Sequence, residues 1–171
     1  MKKRLIILGA GGFGRTVADM AQQLGVYGEI RHLDDKAAEN VVGPLRGYGE
    51  HVGDDTEFIV ALGNNELRKS LIYSILESGG KIATLIHPKA YVSPRATIGS
   101  GCIVLPMAVV NTEVSVGMGC IVNCGAIIDH GCAIEECCHI SPGAIVKAEN
   151  RIAALSKIES GEVIANRTFP V

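Results

Sequence analysis

The sequence predicts a short α/β domain followed by an all-β parallel β-helix, and two residue ladders and one glycine-rich loop carry that expectation. In the second half every sixth residue is Ile or Val: Ile86, Val92, Ile98, Val104, Val110, Val116, Val122, Ile128, Ile134, Ile140, Val146, Ile152, Ile158 and Ile164. A second ladder follows it by four residues and holds only small or slim side chains: Ala90, Ala96, Cys102, Ala108, Val114, Cys120, Ala126, Cys132, Cys138 and Ala144. A period of six fits neither a helix nor one long strand. It fits a short strand, a turn, and another short strand on a new face, so that three units close one triangular coil. The branched residue fills the interior and the small one sits near a tight corner. Stacked coils then pair their strands in parallel.

The chain before the ladder reads as alternating strands and helices. Leu5 to Leu8 form a buried strand, Gly9-Ala10-Gly11-Gly12-Phe13-Gly14 a loop, and Arg15 to Leu24 a helix. Ile30 to Leu33 form a second strand ending at Asp34-Asp35. Phe58 to Leu62 form a third, Asn64 to Glu77 a helix, and Lys81 to Ile86 a fourth strand that enters the repeat. Such alternation implies a parallel sheet. The expected boundary therefore lies between residues 1–85 and 86–171.

The spacing of Gly9, Gly11 and Gly14, with Asp34 further on, matches a dinucleotide fingerprint. Glycines let the backbone approach a phosphate, and the helix start supplies N–H donors. The segment is only half of a full dinucleotide fold, so a Rossmann-like half-domain holding a single nucleotide fits better than NAD. A tight turn without ligand remains open. A second loop, Gly63-Asn64-Asn65-Glu66, leaves the third strand on the same edge, where its amides could hold a sugar or base.

Composition narrows the function classes. Lys and Arg total 16 against 18 Asp and Glu, and no basic block or basic amphipathic stretch points to nucleic acid or a membrane surface. The opening Met1-Lys2-Lys3-Arg4 and its apolar run are too short for a signal peptide. Six cysteines without an export signal point to the reducing cytoplasm. Four of them fall in the small interior slot, and Cys102, Cys120 and Cys138 should stack in one column as reduced, apolar fillers. No CxxC pair is present, so no metal is expected. After Ala144 the small slot holds Asn150, Ser156, Glu162 and Thr168, so the last coil is expected to distort or leave the prism. Of the histidines, His32 and His51 read as surface residues and His87 as a local turn contact, whereas His130 and His139 sit at turn or face positions of the repeat.

Taken together, the glycine loop, Asp34-Asp35, Gly63-Asn64-Asn65-Glu66-Leu67-Arg68-Lys69, Ile86-His87-Pro88-Lys89-Ala90, Asn123, Ile128-Asp129-His130-Gly131-Cys132 and His139-Ile140-Ser141-Pro142-Gly143-Ala144 occur in an order that carries a resemblance. The chain resembles the sialic-acid O-acetyltransferase and UDP-amino-sugar N-acetyltransferase family of hexapeptide-repeat acyltransferases. The resemblance implies a left-handed β-helix, a homotrimer, and acetyl-CoA as co-substrate. It implies a sugar nucleotide at Gly11, Gly12, Phe13, Gly14, Asp34, Asp35, Gly63, Asn64, Asn65 and Arg68. It makes His130 the base and places acetyl-CoA at His139, Ser141, Gly143 and Ala148, with Asn123 in a structural or orienting role; Asp129, just before His130, is this chain's own candidate to orient the ring. N-acetylation of a nucleotide-linked amino sugar leads; O-acetylation of a sialic-acid-type sugar and a non-catalytic sugar-nucleotide scaffold are the alternatives. Two departures stand out. Gly131 occupies the place where the family commonly has Glu or Asp, and Lys147-Ala148-Glu149-Asn150 stands where a glycine-rich turn is expected.

Overall fold

The computed structural model describes residues 2–171. Their contacts divide into two compact units, one ending at Ala83 and one beginning at Thr84. In the first unit, β1 (Lys3–Leu8), β2 (Tyr27–Leu33), β3 (Thr56–Val60) and β4 (Lys81–Ile82) form a parallel sheet in the order β2-β1-β3-β4. Leu5, Ile6, Ile7 and Leu8 are all fully buried, as expected of an interior parallel strand covered on both faces. Two helices, α1 (Gly12–Leu24) and α2 (Asn65–Glu77), connect the strands. Val17, Met20 and Ala21 of α1 and Leu71, Ile72 and Ile75 of α2 are buried.

The structure moves several expected boundaries, each for an identifiable reason. Helix α1 starts at Gly12 rather than Arg15, because Gly11 is extended (φ −67°, ψ −172°) and serves as its N-cap. Strand β2 begins at Tyr27 rather than Ile30; it is an edge strand, so its polar residues need no apolar cover. The expected fourth strand is two strands. Lys81–Ile82 pairs with β3, whereas Leu85–Ile86 pairs with Ile103–Val104 and opens the second unit. A 3₁₀ helix, Leu45–His51, escaped the reading because its glycines and polar residues show no period. His32 is not a surface residue. It is buried, with Nδ1 2.8 Å from the carbonyl oxygen of Gly9, and so holds the start of the glycine loop.

The second unit is a left-handed parallel β-helix of two-residue strands. In chain order they are β5 (Leu85–Ile86), β6 (Tyr91–Val92), β7 (Thr97–Ile98), β8 (Ile103–Val104), β9 (Val109–Val110), β10 (Ser115–Val116), β11 (Ile121–Val122), β12 (Ile127–Ile128), β13 (Ala133–Ile134), β14 (His139–Ile140), β15 (Ile145–Val146), β16 (Arg151–Ile152), β17 (Lys157–Ile158) and β18 (Val163–Ile164). They stack into three sheets, β16-β13-β10-β7, β17-β14-β11-β8-β5 and β18-β15-β12-β9-β6. Each strand pairs with the one three strands on, as Ile121 with Ile103 and with His139. The Ile/Val ladder and the small ladder together form one continuous core cluster.

A third ladder marks the corners. Gly101, Met107, Glu113, Gly119, Gly125, Gly131, Cys137, Gly143, Glu149, Leu155, Gly161 and Arg167 all take left-handed φ between 53° and 75°. Half are glycine, which adopts this conformation without the cost that a Cβ imposes.

The small slot proves to be polar in one respect. The thiols of Cys102, Cys120, Cys132 and Cys138 donate to the carbonyls of Gly117, Glu135, Lys147 and Ala153, at 3.0–3.2 Å. Cysteine is therefore a slim filler that also satisfies a neighbouring coil's carbonyl. Hydrogen bonding to Cys102, together with burial, pushes the Cys120 thiol well above its ordinary range. Asn150 continues the pattern: fully buried, it donates to Ala165 O at 2.8 Å and accepts from Phe169 N at 2.8 Å. Distortion thus begins later than expected. Strand β18 still pairs in register with β15, Ile164 stays buried, and Glu162 keeps its carboxylate in solvent, bonded to Glu159 N. Beyond it the chain turns back, and Pro170 makes an antiparallel bridge to Asn150. Among the described residues no helix is long and apolar enough to cross a membrane.

Candidate active site

In the first unit the glycine loop borders a cleft of about 570 Å³, lined by Ala10, Gly11, Gly12, Phe13, Gly14, Arg15, Asp34, Lys36, Ala37, Ala38, Ala61, Leu62 and Gly63. The glycines there do different jobs. A Cβ on Gly14 would lie 2.1 Å from Gly9 O, so this glycine lets α1 pack against the end of β1. A Cβ on Gly11 would meet nothing within 4 Å, and one on Gly12 only the tip of Arg15. That backbone is open to a ligand. No side chain caps α1 and its first turn holds no acidic residue, so the positive dipole end of the helix favours an anion.

Asp34 closes the loop. Its Oδ2 accepts from Ala10 N at 2.7 Å and its Oδ1 from Lys36 N at 2.9 Å. These bonds, Ala10 first, hold its carboxyl below the usual range. Among the residues expected at the sugar nucleotide, the cleft gathers Gly11, Gly12, Phe13, Gly14, Asp34 and Gly63. It does not gather the other four. Asp35 accepts from Leu45 N at 3.0 Å and starts the 3₁₀ helix, while Asn64 caps α2 through Leu67 N at 2.9 Å and Asn65 is its first residue. Arg68 is fully buried and donates to Leu62 O at 2.8 Å, so its cation braces the second loop from within. Lys36, which sequence reasoning passed over, is the lysine at the cleft; its position directly after Asp34-Asp35 was the available signal.

In the second unit His130 sits at the corner between β12 and β13. Asp129 Oδ1 accepts from His130 N at 2.7 Å and from Asn111 Nδ2 at 3.2 Å. It thus fixes the backbone of His130 rather than its ring. Neither ring nitrogen has a hydrogen-bond partner among the described residues, and the imidazole faces a pocket of about 270 Å³ shared with Ala148, Glu149, Asn166 and Arg167. These residues occupy the same corner in successive coils. Glu149 N donates to His130 O at 3.1 Å and Arg167 N to Ala148 O at 3.3 Å. The Glu149 carboxylate is paired with the Arg167 guanidinium.

His139 lies in β14, on the sheet that excludes β12 and β13. Within one chain the triangular prism therefore separates it from the His130 corner. His139 is nearly buried, and Asn123 Nδ2 donates to its Nε2 at 3.1 Å. An amide nitrogen can only donate, so this Nε2 is the acceptor. Asn123 Oδ1 in turn accepts from Cys124 N at 2.8 Å. Ser141 is buried two residues on, its hydroxyl without a hydrogen-bond partner among the described residues, and Gly143 forms the following corner at φ 67°. Ala148 does not join this group; it lies at the His130 corner. Among the described residues no group of three His, Cys, Asp or Glu side chains could hold a metal.

Comparison with known proteins agrees with this architecture. Residues 4–75 match the family model described as the PglD N-terminal domain. A curated UDP-N-acetylbacillosamine N-acetyltransferase from Bacillus subtilis (strain 168) is 32% identical over 111 residues, which cover 60% of this chain. The chain spans about half the length of that relative, 51%. The acetyltransferase domain of PglB from Neisseria gonorrhoeae FA1090 superimposes with a TM-score of 0.91 at 37% identity, over 97% of this chain and 84% of that one. The same domain is known in complex with acetyl coenzyme A, again with a TM-score of 0.91, at 36% identity over 98% and 84% of the two chains. A mutant perosamine N-acetyltransferase from Caulobacter crescentus, in complex with CoA and GDP-perosamine, gives a TM-score of 0.81 at 26% identity over 95% and 88% of the chains. With residues 4–75 matching that family model and the whole fold shared at 37% identity with the gonococcal domain, the chain belongs to the PglD-like acetyltransferase family.

Proposed function

We propose that the protein is an acetyl-CoA-dependent N-acetyltransferase of a nucleotide-linked amino sugar, working as a homotrimer in the cytoplasm. The observation that carries this reading is the His130 imidazole, open to a pocket at a corner of the β-helix and free of any hydrogen-bond partner among the described residues. A base needs one ring nitrogen left open to take a proton, and imidazole titrates near working pH. The gonococcal neighbour binds acetyl coenzyme A, and the Bacillus and Caulobacter relatives are N-acetyltransferases of UDP- and GDP-linked sugars.

In this reading the sugar nucleotide's phosphates meet the N–H groups at Gly11 to Gly14, with Lys36 adding charge. His130 takes the proton of the acceptor amine as the nitrogen attacks the thioester carbon. A C–N bond forms, the C–S bond breaks, and the departing sulfur takes up a proton. Acetyl-CoA runs past His139, Ser141 and Gly143. His130 and His139 of one chain lie on opposite sides of the prism, so a shared reaction needs two copies, and a head-to-tail contact that closes gives a ring.

The test mixes two inactive variants, His130→Ala and His139→Ala, after subunit exchange has been verified with mass tags. Thiol release from acetyl-CoA in the presence of UDP- or GDP-linked amino sugars should return in the hybrids. Verified hybrids that stay inactive, or a stable monomer with full activity, would refute the shared site.

A further inference from the structure

We propose that Glu149 is the positioning residue of His130, supplying from the next coil the carboxylate that its own turn lacks. This inference rests on the reading of His130 as the base.

The corner of the prism that carries His130 reads, coil by coil, Arg95, Glu113, Gly131, Glu149 and Arg167. Arg95 Nη2 pairs with Glu113 Oε1 at 2.6 Å on one side, and Glu149 pairs with Arg167 on the other. Gly131, between the two pairs, leaves the place beside His130 empty of side chain. Asp129, the adjacent acid, is spent on the His130 backbone and on Asn111. The pocket that receives the imidazole takes in Glu149 and Arg167 but neither Glu113 nor Arg95. Only one of the two flanking carboxylates therefore shares a cavity with the ring.

The local backbone fixes this arrangement. Glu149 N bonds the carbonyl of His130 itself, so the two residues are locked in adjacent coils. A Cβ on Gly131 would lie 3.4 Å from Glu149 Cγ, so the Glu149 side chain lies beside the position that Gly131 leaves open. Arg167 engages Glu149 through Oε2, and Oε1 has no hydrogen-bond partner among the described residues. Arg167, chiefly, and then His130 hold the Glu149 carboxyl below its usual range, which is consistent with a carboxylate that stays ionised next to the imidazole. An ionised acceptor beside an imidazole selects one tautomer and one ring orientation, which leaves the other nitrogen free for the reacting proton.

The test compares Glu149→Gln with Glu113→Gln, which removes the matching charge from the equivalent ion pair on the other side of Gly131. Wild type and His130→Ala are first assayed for thiol release with acetyl-CoA and UDP- or GDP-linked amino sugars. Glu149→Gln should lower kcat by about tenfold to a hundredfold, a part of what a general base contributes, with KM for acetyl-CoA unchanged. Glu113→Gln should leave kcat unchanged. Activity should return in Glu149→Asp, and in Glu149→Gln combined with Gly131→Glu, a substitution for which Glu113 and Glu149 already adopt the required backbone at φ 58°. The imidazole nitrogen chemical shifts of His130 supply a readout independent of turnover: one tautomer in wild type, a mixture in Glu149→Gln. Equal losses in the two Gln variants, no rescue, or unchanged imidazole shifts would reduce Glu149 to a corner clamp and overturn the proposal while leaving His130 as the base. If wild type releases no more thiol than His130→Ala, the proposed function falls first, and the role of Glu149 falls with it.

Discussion

The glycine-loop cleft and the His130 corner are built on opposite principles. The cleft is made of backbone: Gly11 and Gly12 present bare N–H groups at the start of α1, and the one acid beside them, Asp34, is used to hold the loop. The corner is made of side chains on a backbone that repeats regularly from coil to coil. In the cleft, the absence of a Cβ is the functional property. At the corner, the chemistry of single side chains is the property, carried on left-handed turns that recur with glycine and with other residues alike. The two regions should therefore fail differently when mutated.

The largest effect belongs to the corner. His130→Ala should reduce kcat by about 10²–10⁴-fold, the range of a lost general base, while the melting temperature and acetyl-CoA affinity stay unchanged. Unchanged turnover in a folded His130→Ala protein would place the base elsewhere. The cleft should respond first as structure. Gly14→Ala forces a Cβ against Gly9 O and should destabilise the first unit by about 1–3 kcal/mol or more, read as a lower denaturation midpoint. Asn150→Ala separates the corner's chemistry from its support. It leaves Phe169 N without its partner and removes one donor from Ala165 O, which keeps Thr168 Oγ1, and this should cost about 1–3 kcal/mol. Hydrogen exchange should accelerate in the last coil and not in the first unit.

Gly12→Leu tests the cleft as a binding surface. The site has room for the side chain but not for side chain and ligand together, so sugar-nucleotide affinity should fall about tenfold, or ~1.4 kcal/mol, at constant stability. Unchanged affinity by calorimetry would move the acceptor away from this loop. The smallest effect is electrostatic. Asp34 has a depressed pKa in the folded protein, so the stability it contributes is present above its unfolded pKa of about 4 and is lost as pH falls through the folded value. Protection of the Ala10 N–H against exchange should weaken in that acid window, and Asp34→Asn should abolish the pH dependence.

The sequence by itself determined the β-helix. Its interior admits one branched residue and one slim residue per turn, so the period survives through every strand from Leu85–Ile86 to Val163–Ile164. The corner ladder was equally present, as glycines at residues 101, 119, 125, 131, 143 and 161, but Met107, Glu113, Glu149 and others interrupt it, and composition alone does not reveal φ. The glycine loop and both histidine motifs could likewise be read from the chain. What only the tertiary structure decided was which polar atoms remain uncommitted. Asp34 and Asp129 look like ligand or ring partners in sequence, yet backbone N–H groups claim them; Arg68 stands among the residues expected at the sugar nucleotide and is buried; His32 looks superficial and anchors the loop. Glu149 was invisible because its relation to His130 exists only across coils. Covalent neighbours fix periodicity and turn chemistry, whereas hydrogen-bond partners and shared cavities are set by stacking residues that the chain keeps a full coil apart.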